Sequence, residues 1–107
     1  MKVRLLAESP LVFEDHNVQG RELYEKSGTT VVHLLLEKGG ILPPVAQPED
    51  VFFYVLAGKG RINVGDESFD VEEDTLIKCP IDIPHGAENT GREVFKLLMV
   101  KMPTSTP

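Results

Sequence analysis

The sequence predicts a nearly all-β domain, and three observations carry that reading. No segment sustains the ten or so residues of 3.6-period apolar pattern that an amphipathic helix needs. Short runs rich in Val, Ile, Phe and Tyr recur along the whole chain, as in Val51-Phe52-Phe53-Tyr54-Val55 and Thr30-Val31-Val32-His33-Leu34-Leu35-Leu36. Between those runs stand residues that tolerate tight turns, among them Lys38-Gly39-Gly40, Gly58-Lys59-Gly60 and Gly65-Asp66-Glu67.

Strands are accordingly expected at Lys2 to Leu6, Glu22 to Ser27, Thr30 to Glu37, Val51 to Ala57, Gly60 to Val64, Glu67 to Val71, Thr75 to Cys79, His85 to Asn89 and Val94 to Met102. Gly65-Asp66-Glu67 joins two alternating strands as a hairpin. Pro43-Pro44 and Pro48 predict an extended connection rather than a strand, because proline cannot donate to a ladder. Residues 1–103 are read as one domain, and the tail Pro103-Thr104-Ser105-Thr106-Pro107 is expected to be disordered from Thr104 on, having nothing to bury.

The 107 residues allow a single core and no second domain. Hydrophobic residues at 41% and charged residues at 26% are ordinary for a globular protein, and no apolar run approaches the ~18 residues of a membrane span. The start, Met1-Lys2-Val3-Arg4-Leu5-Leu6-Ala7-Glu8, is interrupted by charge too soon for a secretory signal. A lone cysteine, Cys79, lies in an apolar run where a reduced, buried thiol is expected, and a cytoplasmic location fits it. The net charge is −6, with eleven scattered Lys and Arg, so no basic stripe exists for a nucleic acid partner.

Many short antiparallel strands must hide their edges, and a sandwich or jelly roll does so. Within this frame the run Cys79-Pro80-Ile81-Asp82-Ile83-Pro84-His85-Gly86-Ala87-Glu88-Asn89 resembles the second signature of the cupin superfamily: Pro, any residue, Gly, two residues, His, three residues, Asn. Pro80, His85 and Asn89 match; Asp82 replaces the glycine, and Asp74 stands where the signature opens with glycine. The first cupin signature, read without a gap from Gly39 to Gly58, sets Val45, Gln47 and Val51 where the pattern expects His, His and Glu. The resemblance spans about Thr30 to Lys101 and implies a double-stranded β-helix, the jelly-roll cupin barrel, with Asn89 holding the loop around the motif. It also implies a homodimer, since small cupins are commonly dimers.

Of the four ligand positions of that pattern, only His85 keeps metal-binding chemistry. A divalent metal needs three or more N, O or S donors, and Val45 and Val51 supply none. A full cupin metal site is therefore not expected; a weak or atypical one would have to draw on His85 with His33, Gln47 or Glu37. Glu49 and Asp50 read as solvated charges.

Because side chains alternate along a strand, placing Val51 in the ligand register turns Phe53 and Val55 inward and Phe52, Tyr54 and Leu56 outward. So apolar an outer face calls for cover, either by a second subunit or by the segment Lys2 to Leu6 folding back. In Thr30 to Glu37 both faces are apolar. When the set Val31, His33, Leu35, Glu37 faces inward, His33 meets His85 in the cavity; otherwise His33 is a satisfied interior histidine.

The expected function is binding of a small organic molecule in a pocket formed by His85, Gln47, His33, Val45, Val51 and Phe53, without a complete metal site. His85 can act as ligand, base or hydrogen-bond anchor, and Gln47 is suited to a carbonyl or hydroxyl. The alternative is an enzyme, since cupin relatives include metal-dependent dioxygenases and isomerases and metal-free sugar epimerases with a histidine base. In that case His85 transfers the proton and Gln47 orients the substrate. Gly58-Lys59-Gly60 is no phosphate loop, because no helix follows it. Cys79 forms no nucleophile grouping, and His16 and Tyr24 belong to surface segments.

Overall fold

The computed structural model describes residues 3–103. Ten strands run β1 (Leu11–Asp15), β2 (Val18–Lys26), β3 (Thr29–Leu36), β4 (Ile41–Val45), β5 (Asp50–Ala57), β6 (Gly60–Val64), β7 (Glu67–Val71), β8 (Leu76–Cys79), β9 (His85–Glu88) and β10 (Phe95–Met102), with a single 3₁₀ turn at Leu6–Glu8. They form two antiparallel sheets, one of six strands in the order β1-β2-β3-β10-β5-β8 and one of four in the order β4-β9-β6-β7. This is the jelly-roll barrel that the strand pattern predicts.

Two expectations are corrected at the N-terminal end. Val3 to Leu5 carry no regular structure and Leu6–Glu8 coil into the 3₁₀ turn, so no strand runs from Val3 to Leu6; Lys2 lies outside the described residues, as does the tail from Thr104. Conversely, β1 is a strand that no sequence pattern announced, because Leu11-Val12-Phe13 is only three residues long before charge interrupts it. It pairs with an early, glutamine- and glycine-containing half of β2 through a turn at His16 and Asn17, whose φ values of 52° and 62° are those of a tight hairpin.

A third correction concerns Pro43 and Pro44, which lie within β4 rather than in a bare connection. β4 is an edge strand, and its pairing with β9 skips the two prolines, running Leu42↔Ala87 and then Val45↔His85. The missing N–H groups therefore fall at an irregularity where no ladder bond is needed.

The core fills the space between the sheets. Val32, Leu34, Leu36, Val51, Phe53, Val55, Phe95 and Leu97 come from the larger sheet, and Ile62, Val71 and Ala87 from the smaller; each is at most a few per cent exposed. Val51, Phe53 and Val55 point inward, while Phe52 and Tyr54 lie half-buried on the outer face, so the predicted alternation of β5 holds through Val55. At Leu56 a register irregularity against β10 interrupts it.

The two glycines that the cupin signature lacks are replaced without change of backbone. Asp74 has φ 62° and Asp82 φ 61°, both in the left-handed region where glycine is favoured and aspartate is among the side chains that follow it most readily. Asp74 accepts a hydrogen bond of 2.8 Å from the Tyr54 hydroxyl, and the Asp82 amide donates 2.8 Å to the Gln47 carbonyl. That second bond ties the loop after β4 to the loop before β9, setting the two halves of the candidate site side by side.

Candidate functional site

His85 opens β9 and is 3% exposed. Its neighbour Gly86 explains how β4 comes so close, since a Cβ there would stand 2.5 Å from the Leu42 carbonyl oxygen. Glycine at this position lets the proline-bearing edge strand lie against the histidine. The edge of the Phe53 ring meets the imidazole at 5.7 Å between centroids and 70° between planes, so β5 supports the ring from the core side.

The imidazole has one satisfied nitrogen and one orphan. Nδ1 lies 3.2 Å from the Ile83 carbonyl oxygen, and because a carbonyl only accepts, this contact requires the hydrogen on Nδ1. Nε2 is then the unprotonated nitrogen of the neutral ring, and among the described residues it is the buried side-chain polar atom with no hydrogen-bond partner. Burial lowers the His85 pKa below the usual 6.5, and the Lys101 charge lowers it further, against a smaller raising contribution from Ile83. The ring is neutral at pH 7 and presents a lone pair.

Beside His85 is a cavity of about 300 Å³ between the open ends of the two sheets. Its walls include Phe13, Val32, Leu34, Leu42, Pro43, Val45 and Met99, and its polar groups are Glu22, Thr30, Gln47, His85 and Lys101. An apolar chamber with few convergent polar groups is the usual make-up of a small-molecule site, and this volume is at the lower end for one.

Of the six residues singled out in the sequence, His85, Gln47 and Val45 come together on this cavity. Val51 and Phe53 face the interior but lie in the packed core, Phe53 reaching the site only through its contact with His85. His33 is not there. It pairs across the sheet with Leu98 and Arg21 on the outer face, and it borders a small hollow of about 100 Å³ with Leu6, Gln19, Arg21, Leu35 and Lys96. The inward set of β3 is Thr30, Val32 and Leu34, one residue out of phase with the set containing His33.

Sequence reasoning missed Glu22, Thr30 and Lys101. All three sit at inward positions near strand ends, where a polar residue reads as ordinary solvent exposure; only the register of β2, β3 and β10 reveals that they share a wall. Asn89 has the expected structural part, its amide donating to the carbonyls of Leu36 at 3.0 Å and Glu93 at 2.8 Å and its oxygen accepting from Gly91 at 2.9 Å.

The donor set does not fit a cupin metal centre. Val45 and Val51 offer no lone pair, Gln47 offers a neutral amide, and among the described residues no group of three His, Cys, Asp or Glu side chains is placed to hold an ion.

Residues 32–101 match the cupin domain family. The chain belongs to that family. Solved structures similar to it include a predicted oxalate decarboxylase from Thermotoga maritima (TM-score 0.86, 16% identity, covering 96% of this chain and 100% of that one). The polyketide cyclase RemF from Streptomyces resistomycificus is similar with TM-score 0.81 and 20% identity over 100% of this chain and 82% of that one. KdgF from Halomonas sp. gives TM-score 0.81 and 14% identity over 98% and 96%. At these identities the likeness is one of fold. No curated protein sequence matches the chain. Among the described residues no helix is long and apolar enough to cross a membrane.

Proposed function

We propose that this cupin binds a small organic molecule in the cavity beside His85, without a complete metal site. The observation that carries the proposal is the orphan Nε2 of a 3%-exposed histidine that lines an apolar cavity. A buried unsatisfied acceptor is costly, and such groups are uncommon in native structures unless a ligand, water or ion completes them. A thermal-shift screen across sugars, organic acids and aromatics tests the reading: stabilisation by members of one class is expected, and silence across all three counts against it. Elemental analysis after incubation with Mn, Fe, Ni, Cu and Zn is expected to find no stoichiometric metal. Metal that binds stoichiometrically and is lost in His85→Ala would replace this reading with a rearranged metal centre.

A second reading is an enzyme in which His85 is the general base. The specific observation in its favour is the tautomer: Nδ1–H donating to Ile83 fixes the ring and leaves Nε2 unprotonated at pH 7, the state a base requires. Turnover that survives His85→Ala unchanged would remove this role.

The chain's partner, on this proposal, is a second copy of itself. The outer face of the larger sheet carries Val31, Phe52, Tyr54, Leu76, Leu98 and Val100 in adjacent rows, half-buried or exposed. The N-terminal segment covers only one end of that face, where Leu6 lies by His33 and Arg21 donates 2.7 Å to the Ser9 carbonyl. A buried Cys79 thiol, pushed up to about 11 by burial, is consistent with a reducing, cytoplasmic setting.

A further inference from the structure

The chemistry of the cavity wall narrows the class of molecule it accepts, and this step rests on the small-molecule reading above. His85 offers an acceptor and no donor, because its one N–H is already given to Ile83. Whatever satisfies Nε2 must bring a hydrogen to it. Carboxylates, ethers and ketones have none, and an anion would face the lone pair directly.

Charge on the ligand is disfavoured from two sides. The walls are mainly aliphatic, so an ion entering them loses hydration that they do not replace. The two charged groups on the wall, Lys101 and Glu22, are of opposite sign, and among the described residues neither is held in an ion pair. The wall therefore carries no net charge with which to attract an anion or a cation as such.

The position of Lys101 then distinguishes among neutral donors. Its charge is close enough to bear on the His85 ring. An O–H that leans its proton toward Nε2 gathers negative charge on its oxygen, and a nearby ammonium favours that build-up. The benefit grows with the acidity of the hydroxyl, so an aromatic hydroxyl gains more than an aliphatic alcohol. The apolar walls suit the ring that bears it, and Thr30 and Gln47 remain to meet a second polar group.

From this wall we infer that the cavity binds an uncharged hydroxyarene, a phenol-type molecule whose O–H donates to Nε2 of His85 while its ring lies among Val32, Leu34, Leu42, Pro43 and Met99.

Matched fragments test it on the intact chain. Titrations of para-cresol, para-methylanisole, para-toluate and benzylamine, followed by NMR, compare a donor, its methylated twin, an anion and a cation of similar size. Para-cresol is expected to bind about tenfold more tightly than para-methylanisole, the loss expected from one unmade hydrogen bond to a buried group. On binding, the ¹⁵N resonance of His85 Nε2 is expected to move upfield as it accepts the bond, with Nδ1 still protonated. The nitrogen shift uses the unaltered chain, so the test does not depend on a variant folding. As a companion, His85→Phe is expected to bring cresol and anisole to within about twofold of each other.

Cresol and anisole binding equally, or the toluate or the amine binding best, would overturn the hydroxyarene inference while leaving the organic-ligand reading intact. Failure of all four fragments to bind would overturn the inference as well. The organic-ligand reading falls with it only if the wider screen of sugars and acids is also silent.

Discussion

Two buried histidines stand on opposite faces of the same β-barrel, and they differ in everything except residue type and burial. His85 faces the cavity between the sheets, backed by Phe53 and holding an orphan nitrogen. His33 faces outward, beside Arg21 and Lys96 beneath the N-terminal segment. Both have a lowered pKa, first from burial and then from a neighbouring lysine, Lys101 for one and Lys96 for the other. A perturbed titration therefore marks neither as functional by itself. What separates them is a cavity of ligand size on one side and an N-terminal flap on the other.

The most forceful way to break that contrast is to remove the support behind His85. Phe53 is fully buried and touches the imidazole with its ring edge. Phe53→Ala is expected to cost about 3–5 kcal/mol, measured as a lower denaturation midpoint in urea at unchanged m. A cost under about 1 kcal/mol would mean that the core does not brace the site.

The loop that follows β9 comes next. Asn89 uses both ends of its amide, and Asn89→Ala leaves the Leu36 and Glu93 carbonyls and the Gly91 amide without their partner. A loss of about 2 kcal/mol is expected. Asn89→Asp keeps the acceptor for Gly91 but not the donor for the two carbonyls, and it is expected to recover only part of that loss.

Smaller again is the acid response, and it sharpens the comparison because both histidines contribute with the same sign. Each is harder to protonate folded than unfolded, so below the unfolded value of 6.5 the unfolded chain takes up more protons. Stability from this source is full above that pH and declines as pH falls through the lowered folded values. Melting temperature is expected to drop between pH 7 and pH 5, and His33→Phe or His85→Phe should each flatten part of the drop. Only His85→Phe should also abolish discrimination among cavity ligands; an equal effect of His33→Phe would erase the functional distinction between the two.

How far the sequence revealed this arrangement depends on where its patterns are one-sided. In β5, an alternation of large residues inside and half-exposed ones outside made the inward set legible, and the spacing of the two motifs brought Val45, Gln47 and His85 to one place. In β3 the alternation vanishes, because the strand is apolar on both faces; nothing in Thr30 to Glu37 says whether His33 or Val32 points inward, and a slip of one residue reverses every side chain. Glu22, Thr30 and Lys101 were illegible for a related reason: polar residues near strand ends signal solvent, and their convergence is a property of pairing between strands distant in sequence. The aspartates at Asp74 and Asp82, which look like losses in the motif, keep its backbone because aspartate follows glycine into positive φ.

The outer face supplies the last and gentlest test. Leu76 is 54% exposed on the edge strand β8, paired with Tyr54 and in line with Leu98. So exposed a side chain contributes little to the fold of one chain, and Leu76→Lys is expected to change monomer stability by no more than about 0.5 kcal/mol. Its effect on association is expected to be larger, since an ammonium on each copy would meet an apolar face across the two-fold. Light scattering with size-exclusion chromatography should show the unsubstituted chain at twice its 11.9 kDa mass and the variant shifted toward the monomer. A monomeric wild type would assign the outer face to the single chain, with Leu6 and its neighbours as sufficient cover for His33. A dimer indifferent to Leu76→Lys would place the contact elsewhere and leave the apolar rows of Phe52, Tyr54 and Leu98 without the second copy proposed for them.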